Sequence, residues 1–283
     1  MGIVRIVTDS TCDLPAELIE RHRIITVPLT IQFGNDSDRD NVDLTPAEFY
    51  ARLAKGPFPK TAQPAVGVFE AAYRKAMAEG ASGVCVPIFS ATLSGTYGSA
   101  KLAAEQVTGE LSIEVIDTRS ASMGLGYIVV EAAKLAETGA SLEAVTARVR
   151  ELMPRIDIIF VLNTLEFLEA GGRISRARSL LGSVLSIKPI LKLDNGELVP
   201  LQQPRTRSKA MDATVQWILS HPDPEAVTVL YDGTPESLPE AEGVVERLAA
   251  TIPRERIIIN HYGTVYAVHL GPKAGGAIIL SKA

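Results

Sequence analysis

The feature that most restricts the fold is a recurrence in the first half of the chain. A short apolar, β-branched run is followed by a polar turn and then by a helical stretch. Ile3–Val7 leads into a turn and a helix opening at Asp13-Leu14-Pro15, where Asp suits the N-cap and Pro fits just inside. Gly83–Ile88 leads through Phe89–Thr92 into a helix from about Ser94 to Val107, and Ile113–Ile116 leads through Asp117–Ser122 into a helix reaching Leu135. Such β-turn-α repetition predicts an α/β fold with a parallel sheet flanked by helices. A hydrophobic content of 46% over 283 residues supplies a core for one large domain or two ordinary ones.

Between the first two units the pattern changes. Val27–Phe33 reads as an extended strand, Asn35–Asp43 as a polar acidic turn, and Thr45–Ala54 as a helix. Lys55–Gln63, carrying Gly56, Pro57 and Pro59, reads as a loop entering a helix near Pro64. A second domain is expected to begin near Pro154, giving an N-terminal α/β domain over 1–154 and a C-terminal α/β domain over 155–283. There Asp157–Leu162 is a strand candidate, followed by a helical piece ending at Gly171-Gly172. Ile187–Leu193 and Glu197–Leu201 flank Asp194-Asn195-Gly196, a hairpin signal. A helix near Ser208–Leu219, a strand at Val227–Tyr231, a helix near Pro235–Ala250 and a strand at Arg256–Asn260 complete a mixed or antiparallel sheet with helices.

Three first-half strands run into hydroxyl-rich turns, at Asp9-Ser10-Thr11, at Ser90-Ala91-Thr92-Leu93-Ser94-Gly95-Thr96 and at Asp117-Thr118-Arg119-Ser120. In an open parallel sheet the carboxyl ends of the strands share one edge, where ligands settle. Helix starts add backbone donors that favour anions. The same hydroxyls also serve as ordinary helix caps. Ser94-Gly95 is no nucleophile elbow, because Thr92 and Thr96 stand where glycines are required.

Other chemistry finds little footing. No phosphate-cradling glycine loop of either common type occurs. Asp36, Asp38 and Asp40 resemble a calcium loop only briefly, since Asn41 and Ala47 occupy its glycine and glutamate positions. His22, His221, His261 and His269 lack metal-ligand spacing, and from chemistry alone His269 reads as structural or surface-exposed. Cys12 and Cys85 are too few for a disulfide framework, and Cys12 reads as a small buried filler. The net charge of −5 without a basic cluster argues against nucleic acid as a partner. No leader-like opening and no membrane-length apolar run is present, so the cytoplasm is the expected location. Arg173, and Arg205 with Arg207, form small basic spots suited to a phosphate or a partner carboxylate.

Taken together and in order, several segments resemble the DegV family of bacterial fatty-acid-binding proteins. They are Val7-Thr8-Asp9-Ser10-Thr11-Cys12-Asp13-Leu14-Pro15, Lys60-Thr61-Ala62-Gln63-Pro64, Leu93-Ser94-Gly95-Thr96-Tyr97 and Gly171-Gly172-Arg173-Ile174. Arg205-Thr206-Arg207-Ser208-Lys209-Ala210 and His269-Leu270-Gly271-Pro272 complete the set, so the likeness spans nearly the whole chain.

The resemblance implies a long-chain fatty acid, such as palmitate or oleate, buried between two domains with its carboxylate held by hydroxyls. Thr61 and Ser94 match carboxylate-binding positions, and Ser90 and His269 match positions near the head group. It further implies a non-catalytic subunit, without a cofactor or metal of its own, that presents the acid to a separate ATP-dependent kinase subunit. The acyl phosphate product would feed phospholipid synthesis. Arg173 and Arg205 match arginines that engage the kinase partner or, transiently, a membrane surface. Ala62, Ala91 and Leu270 stand where the family usually carries hydroxyls, and Lys273 where it carries glycine. The alternatives are a stand-alone hydrolase or phosphotransferase using Ser94, Asp9 and His269, and a sensor for which the lipid is structural.

Overall fold

The computed structural model describes residues 2–107, 109, 111–180 and 187–283. The chain opens with β1 (Ile3–Asp9), a 3-10 turn at Ser10–Cys12, α1 (Ala16–Arg21) and β2 (Ile25–Val27). Next come β3 (Thr30–Phe33), β4 (Asp36–Arg39), α2 (Pro46–Leu53) and β5 (Lys60–Ala62). Then follow α3 (Val66–Ala78), β6 (Ala81–Ile88), α4 (Thr96–Gln106), β7 (Ser112–Asp117), α5 (Ser122–Glu137) and α6 (Leu142–Leu152). The last stretch contains β8 (Ile156–Val161), α7 (Glu166–Ala170), β9 (Ile190–Asp194), β10 (Glu197–Gln202) and α8 (Arg207–Leu219). It closes with β11 (Ala226–Tyr231), α9 (Leu238–Leu248), β12 (Ile257–His261), α10 (Thr264–Leu270) and β13 (Gly275–Leu280).

These elements form two compact units, Met1–Thr30 with Ala62–Pro154, and Ile31–Thr61 with Arg155–Ala283. The segment Ile31–Thr61 therefore departs from the contiguous 1–154 domain expected from sequence. Its own contacts explain why. The Asp40 carboxylate accepts from the Thr264 hydroxyl at 2.8 Å and from the Val265 N–H at 3.2 Å, and the Tyr50 hydroxyl donates to the Gly271 carbonyl at 3.3 Å. These partners all lie near the far end of the chain.

In the first unit the sheet order is β2-β1-β6-β7, and every pairing is parallel. Its apolar runs are buried on both faces, as in the consecutive pairs Ile6-Val7 of β1 and Val84-Cys85 of β6. All four strands consequently end at one edge, as the β-turn-α recurrence requires.

The second unit carries a six-stranded sheet of order β10-β9-β8-β13-β11-β12, antiparallel except for the parallel β11–β12 pair. Its hairpin forms where expected, with Asp194 paired to Glu197 and with Asn195 and Gly196 at φ of 49° and 85°. A three-stranded sheet of order β4-β3-β5 accompanies it. Two strands thus occupy segments read as turn and loop, Asn35–Asp43 and Lys55–Gln63. The capping box of Thr45 with Glu48, and Pro46 behind it, fix the start of α2. The turn-rich C-terminal stretch also holds a helix, α10, and the central strand β13.

Candidate functional site

The turn after β1 is organised by the Asp9 carboxylate, which is fully buried. One oxygen accepts from the Thr11 N–H at 2.9 Å and the Thr11 hydroxyl at 2.5 Å, while the other accepts from the Phe89 N–H at 3.0 Å. Asp9 therefore ties the end of β1 to the turn after β6. The Ser10 hydroxyl accepts from the Leu29 N–H at 3.1 Å, and Ser122 donates to Asp13 at 2.5 Å. At the end of β7, Asp117 accepts from the Ala91 N–H at 3.1 Å and the Arg119 N–H at 3.0 Å. The three hydroxyl-rich turns are thus physically linked at one edge of the first unit's sheet.

Ser90 and Ser94 lie in the middle turn of this set. Ser90 is buried, with its hydroxyl 2.9 Å from that of Thr92, and its N–H donates to the Ser120 carbonyl at 3.1 Å. Ser94 is half-buried, 2.8 Å from the Thr96 hydroxyl, and its Oγ accepts from the Thr96 N–H at 3.3 Å. Gln63 packs on the neighbouring Gly95, where a Cβ would lie 2.7 Å from the Gln63 Cδ, and its amide donates to Ser99 at 3.1 Å. Gln63 stands two residues beyond Thr61. Ser120 adds a buried hydroxyl with no hydrogen-bond partner among the described residues.

Thr61 and His269 come together in the second unit, with Thr61 Oγ1 and His269 Nε2 3.0 Å apart. The imidazole Nδ1 is buried and has no partner among the described residues. Gly171 makes room for the ring, since a Cβ there would lie 2.9 Å from His269 Cε1. Arg173 donates to the Gly171 carbonyl at 2.9 Å. Burial, reinforced by the nearby Arg173 charge, pushes the His269 pKa down from 6.5 to about 3. At neutral pH this histidine is therefore an uncharged hydrogen-bonding group. Arg205 is exposed just ahead of Thr206, which caps α8. Arg207 forms an ion pair with Glu240 instead of standing free.

The acidic loop is accounted for structurally. Asp36 and Asp38 pair with Arg52, at 3.4 and 2.6 Å, and Asp40 caps α10. Among the described residues no three His, Cys, Asp or Glu side chains gather as metal ligands would. The positions that differ from the family pattern also have local explanations. Leu270 is packed inside α10, Ala91 is exposed, and Lys273 takes the left-handed φ of 57°, the conformation that glycine favours. Its N–H donates to Asp232 at 2.7 Å, which holds that turn in place.

Residues 3–282 match the family model described as an uncharacterised protein of the DegV family. The chain belongs to the DegV family. A DegV domain-containing protein from Caldanaerobacter subterraneus is 34% identical over 289 residues, covering 100% of both chains. Among solved structures, a DegV family protein from Thermus thermophilus, described by its fatty acid binding, superposes with a TM-score of 0.90. It is 35% identical over 99% of this chain and 100% of its own. A stearic-acid-binding protein from Eubacterium ventriosum superposes with a TM-score of 0.85 at 28% identity, over 98% of each chain. Both of these solved relatives are described by the fatty acid they bind.

Sequence reasoning missed three supporting residues, Gln63, Gly171 and Asp40. Gly171 is the one with a visible signal, because it opens the Gly-Gly pair before Arg173.

Proposed function

We propose that this chain binds a long-chain fatty acid, such as palmitate or oleate, and presents its carboxylate to a separate ATP-dependent kinase subunit for acyl-phosphate formation. The observation that carries the reading is the uncharged polar pair of Thr61 and the neutral His269, 3.0 Å apart. In the proposed complex these two and the hydroxyls of Ser94 and Ser90 would supply the donors that an acidic head group needs when it leaves water. The relatives with this fold that are described by their fatty acid binding support it.

The energetics agree with that division of labour. Burying one methylene contributes about 0.8 kcal/mol, so some fifteen contribute on the order of 12 kcal/mol before association costs. Leaving water costs a carboxylate several kcal/mol unless hydrogen bonds replace its hydration. The tail would provide affinity while Thr61 and Ser94 set which end stays reachable. Phosphoryl transfer would be performed by the partner, in the cytoplasm, with Arg173 and Arg205 forming the surface offered to it or to a membrane. Such a carrier needs no bound cofactor of its own.

The enzyme reading is less favoured. Asp9 spends both carboxylate oxygens on turn-forming donors, and His269 directs Nε2 at Thr61. The test is titration of delipidated protein with palmitate and oleate, comparing the wild type with Thr61→Ala, Ser94→Ala and the double variant. The double variant should bind more weakly than either single one; equal affinity throughout removes both residues from the head-group role. Ester or phosphate-ester turnover abolished by Ser94→Ala would promote the enzyme instead.

A further inference from the structure

We propose that His269 is a positioning residue: it carries its proton on Nε2, donates it to Thr61 Oγ1, and thereby leaves the Thr61 hydroxyl free to act as a donor. Resting on the fatty-acid reading above, this equips the Thr61 position to donate to an acceptor-only head group, a carboxylate, which the opposite tautomer would turn away.

His269 Nδ1 is buried without a partner among the described residues, with Gly171 packed against it. A proton placed there would create a buried N–H with no acceptor, which costs about 1–3 kcal/mol. Placed on Nε2, the same proton has an acceptor 3.0 Å away in Thr61 Oγ1. A doubly protonated ring would bury the orphan N–H as well, in a site where burial, with the Arg173 charge adding to it, holds the ring neutral. The single-proton form with Nε2–H is the one that leaves no donor stranded.

The consequence falls on Thr61. A hydroxyl has one proton to give and lone pairs to receive. Having accepted from His269, Thr61 keeps its proton for another partner. In the opposite tautomer that proton would be spent on Nε2, and Thr61 could only accept. Only the Nε2–H tautomer therefore lets Thr61 donate to a carboxylate, while in either one a lone pair remains for a donor. Gly171 secures the arrangement, because any side chain there would drive the ring from its place.

Long-range proton–nitrogen correlation spectra of the full-length protein, labelled at histidine, read the tautomer directly. We expect His269 to show a bare Nδ1 and a protonated Nε2, unchanged from about pH 5 to about pH 8. A proton on Nδ1, or a charged ring in that range, overturns the proposal. The second arm compares hexadecanoate with hexadecylamine in wild type, His269→Leu and His269→Gln. Loss of one such bond should weaken carboxylate binding roughly tenfold in His269→Leu and narrow the acid-over-amine preference, with His269→Gln restoring part of it. An unchanged preference in His269→Leu also overturns the proposal. A protein that binds neither ligand refutes the carrier reading, while the ring spectrum still decides the tautomer.

Discussion

Gly171→Ala has an expected sign opposite to the ordinary one. Gly171 sits at φ −79° and ψ −5°, a conformation any residue adopts. Elsewhere, replacing glycine by alanine in such a conformation stabilises by about 0.4–1 kcal/mol through the unfolded chain. Here the new methyl would lie 2.9 Å from His269 Cε1 and 3.0 Å from the Phe167 carbonyl oxygen. Forcing a methyl into a packed site costs about 1–3 kcal/mol. Moving the ring to relieve it forfeits the bond to Thr61, worth about 0.5–1.5 kcal/mol. The balance is a destabilisation of roughly 2 kcal/mol, within a range of about 0.5–4. Urea unfolding of the full chain measures it, with Gly98→Ala as the control, because no atom lies within 4 Å of a Cβ at that helical position. Gly98→Ala should be neutral or stabilising. If Gly171→Ala is equally benign and acid binding is unaltered, the packing of Gly171 against His269 does not hold the Thr61–His269 pair in place.

Two further predictions concern charge. Asp9→Asn replaces an acceptor oxygen by an amide donor facing N–H groups, so it should cost about 2–4 kcal/mol in urea unfolding; a change under about 0.5 kcal/mol would refute the role given to Asp9. The two histidines should act in opposite pH windows. His221 is raised above its ordinary 6.5 chiefly by hydrogen bonding to Asp157, which also meets Lys192 at 3.2 Å, and the His221 ring packs on Trp217. Its stabilisation is complete below about pH 6.5 and is lost as the pH rises through the raised folded value, so His221→Phe should flatten the stability profile there. His269, held at about 3, does the reverse: stability is lost as the pH falls from about 6.5 towards 3, on the order of a few kcal/mol. Urea midpoints across both windows, in wild type and in the single variants, check these signs.

Local chemistry made much of the fold readable and distant contacts hid the rest. In the first unit β1, β6 and β7 announced themselves as apolar runs closed by Asp or hydroxyl residues, and in the second the hairpin by Asn195-Gly196, whereas the stretch expected as one strand over Val27–Phe33 is divided between β2 and β3. The membership of Ile31–Thr61 did not announce itself, because it is decided by bonds such as Asp40 to Thr264, 224 positions apart. The same bond explains why α10 was unreadable: its start is capped by Asp40, not by a neighbour in sequence. β13 was masked by Gly275-Gly276, which read as a turn. In the sheet a Cβ at Gly275 would lie 2.8 Å from the Leu230 carbonyl oxygen, and one at Gly276 would lie 3.3 Å from the Ile159 carbonyl carbon. Glycine is there for close approach of neighbouring strands.

The candidate site divides in the same way. Hydroxyls at strand ends, including Ser90 and Ser94, were visible as a pattern. Thr61 and His269, 208 positions apart, were nominated through family resemblance, and the residues alone gave no reason to join them. Gly171 became meaningful only once the imidazole beside it was located.

Native mass spectrometry of the protein purified from a bacterial host, with extraction and identification of any bound lipid, tests the central claim most directly. The account predicts one long acyl chain per molecule, exchangeable with added palmitate or oleate. Protein that carries no acyl chain and takes up neither acid would contradict it.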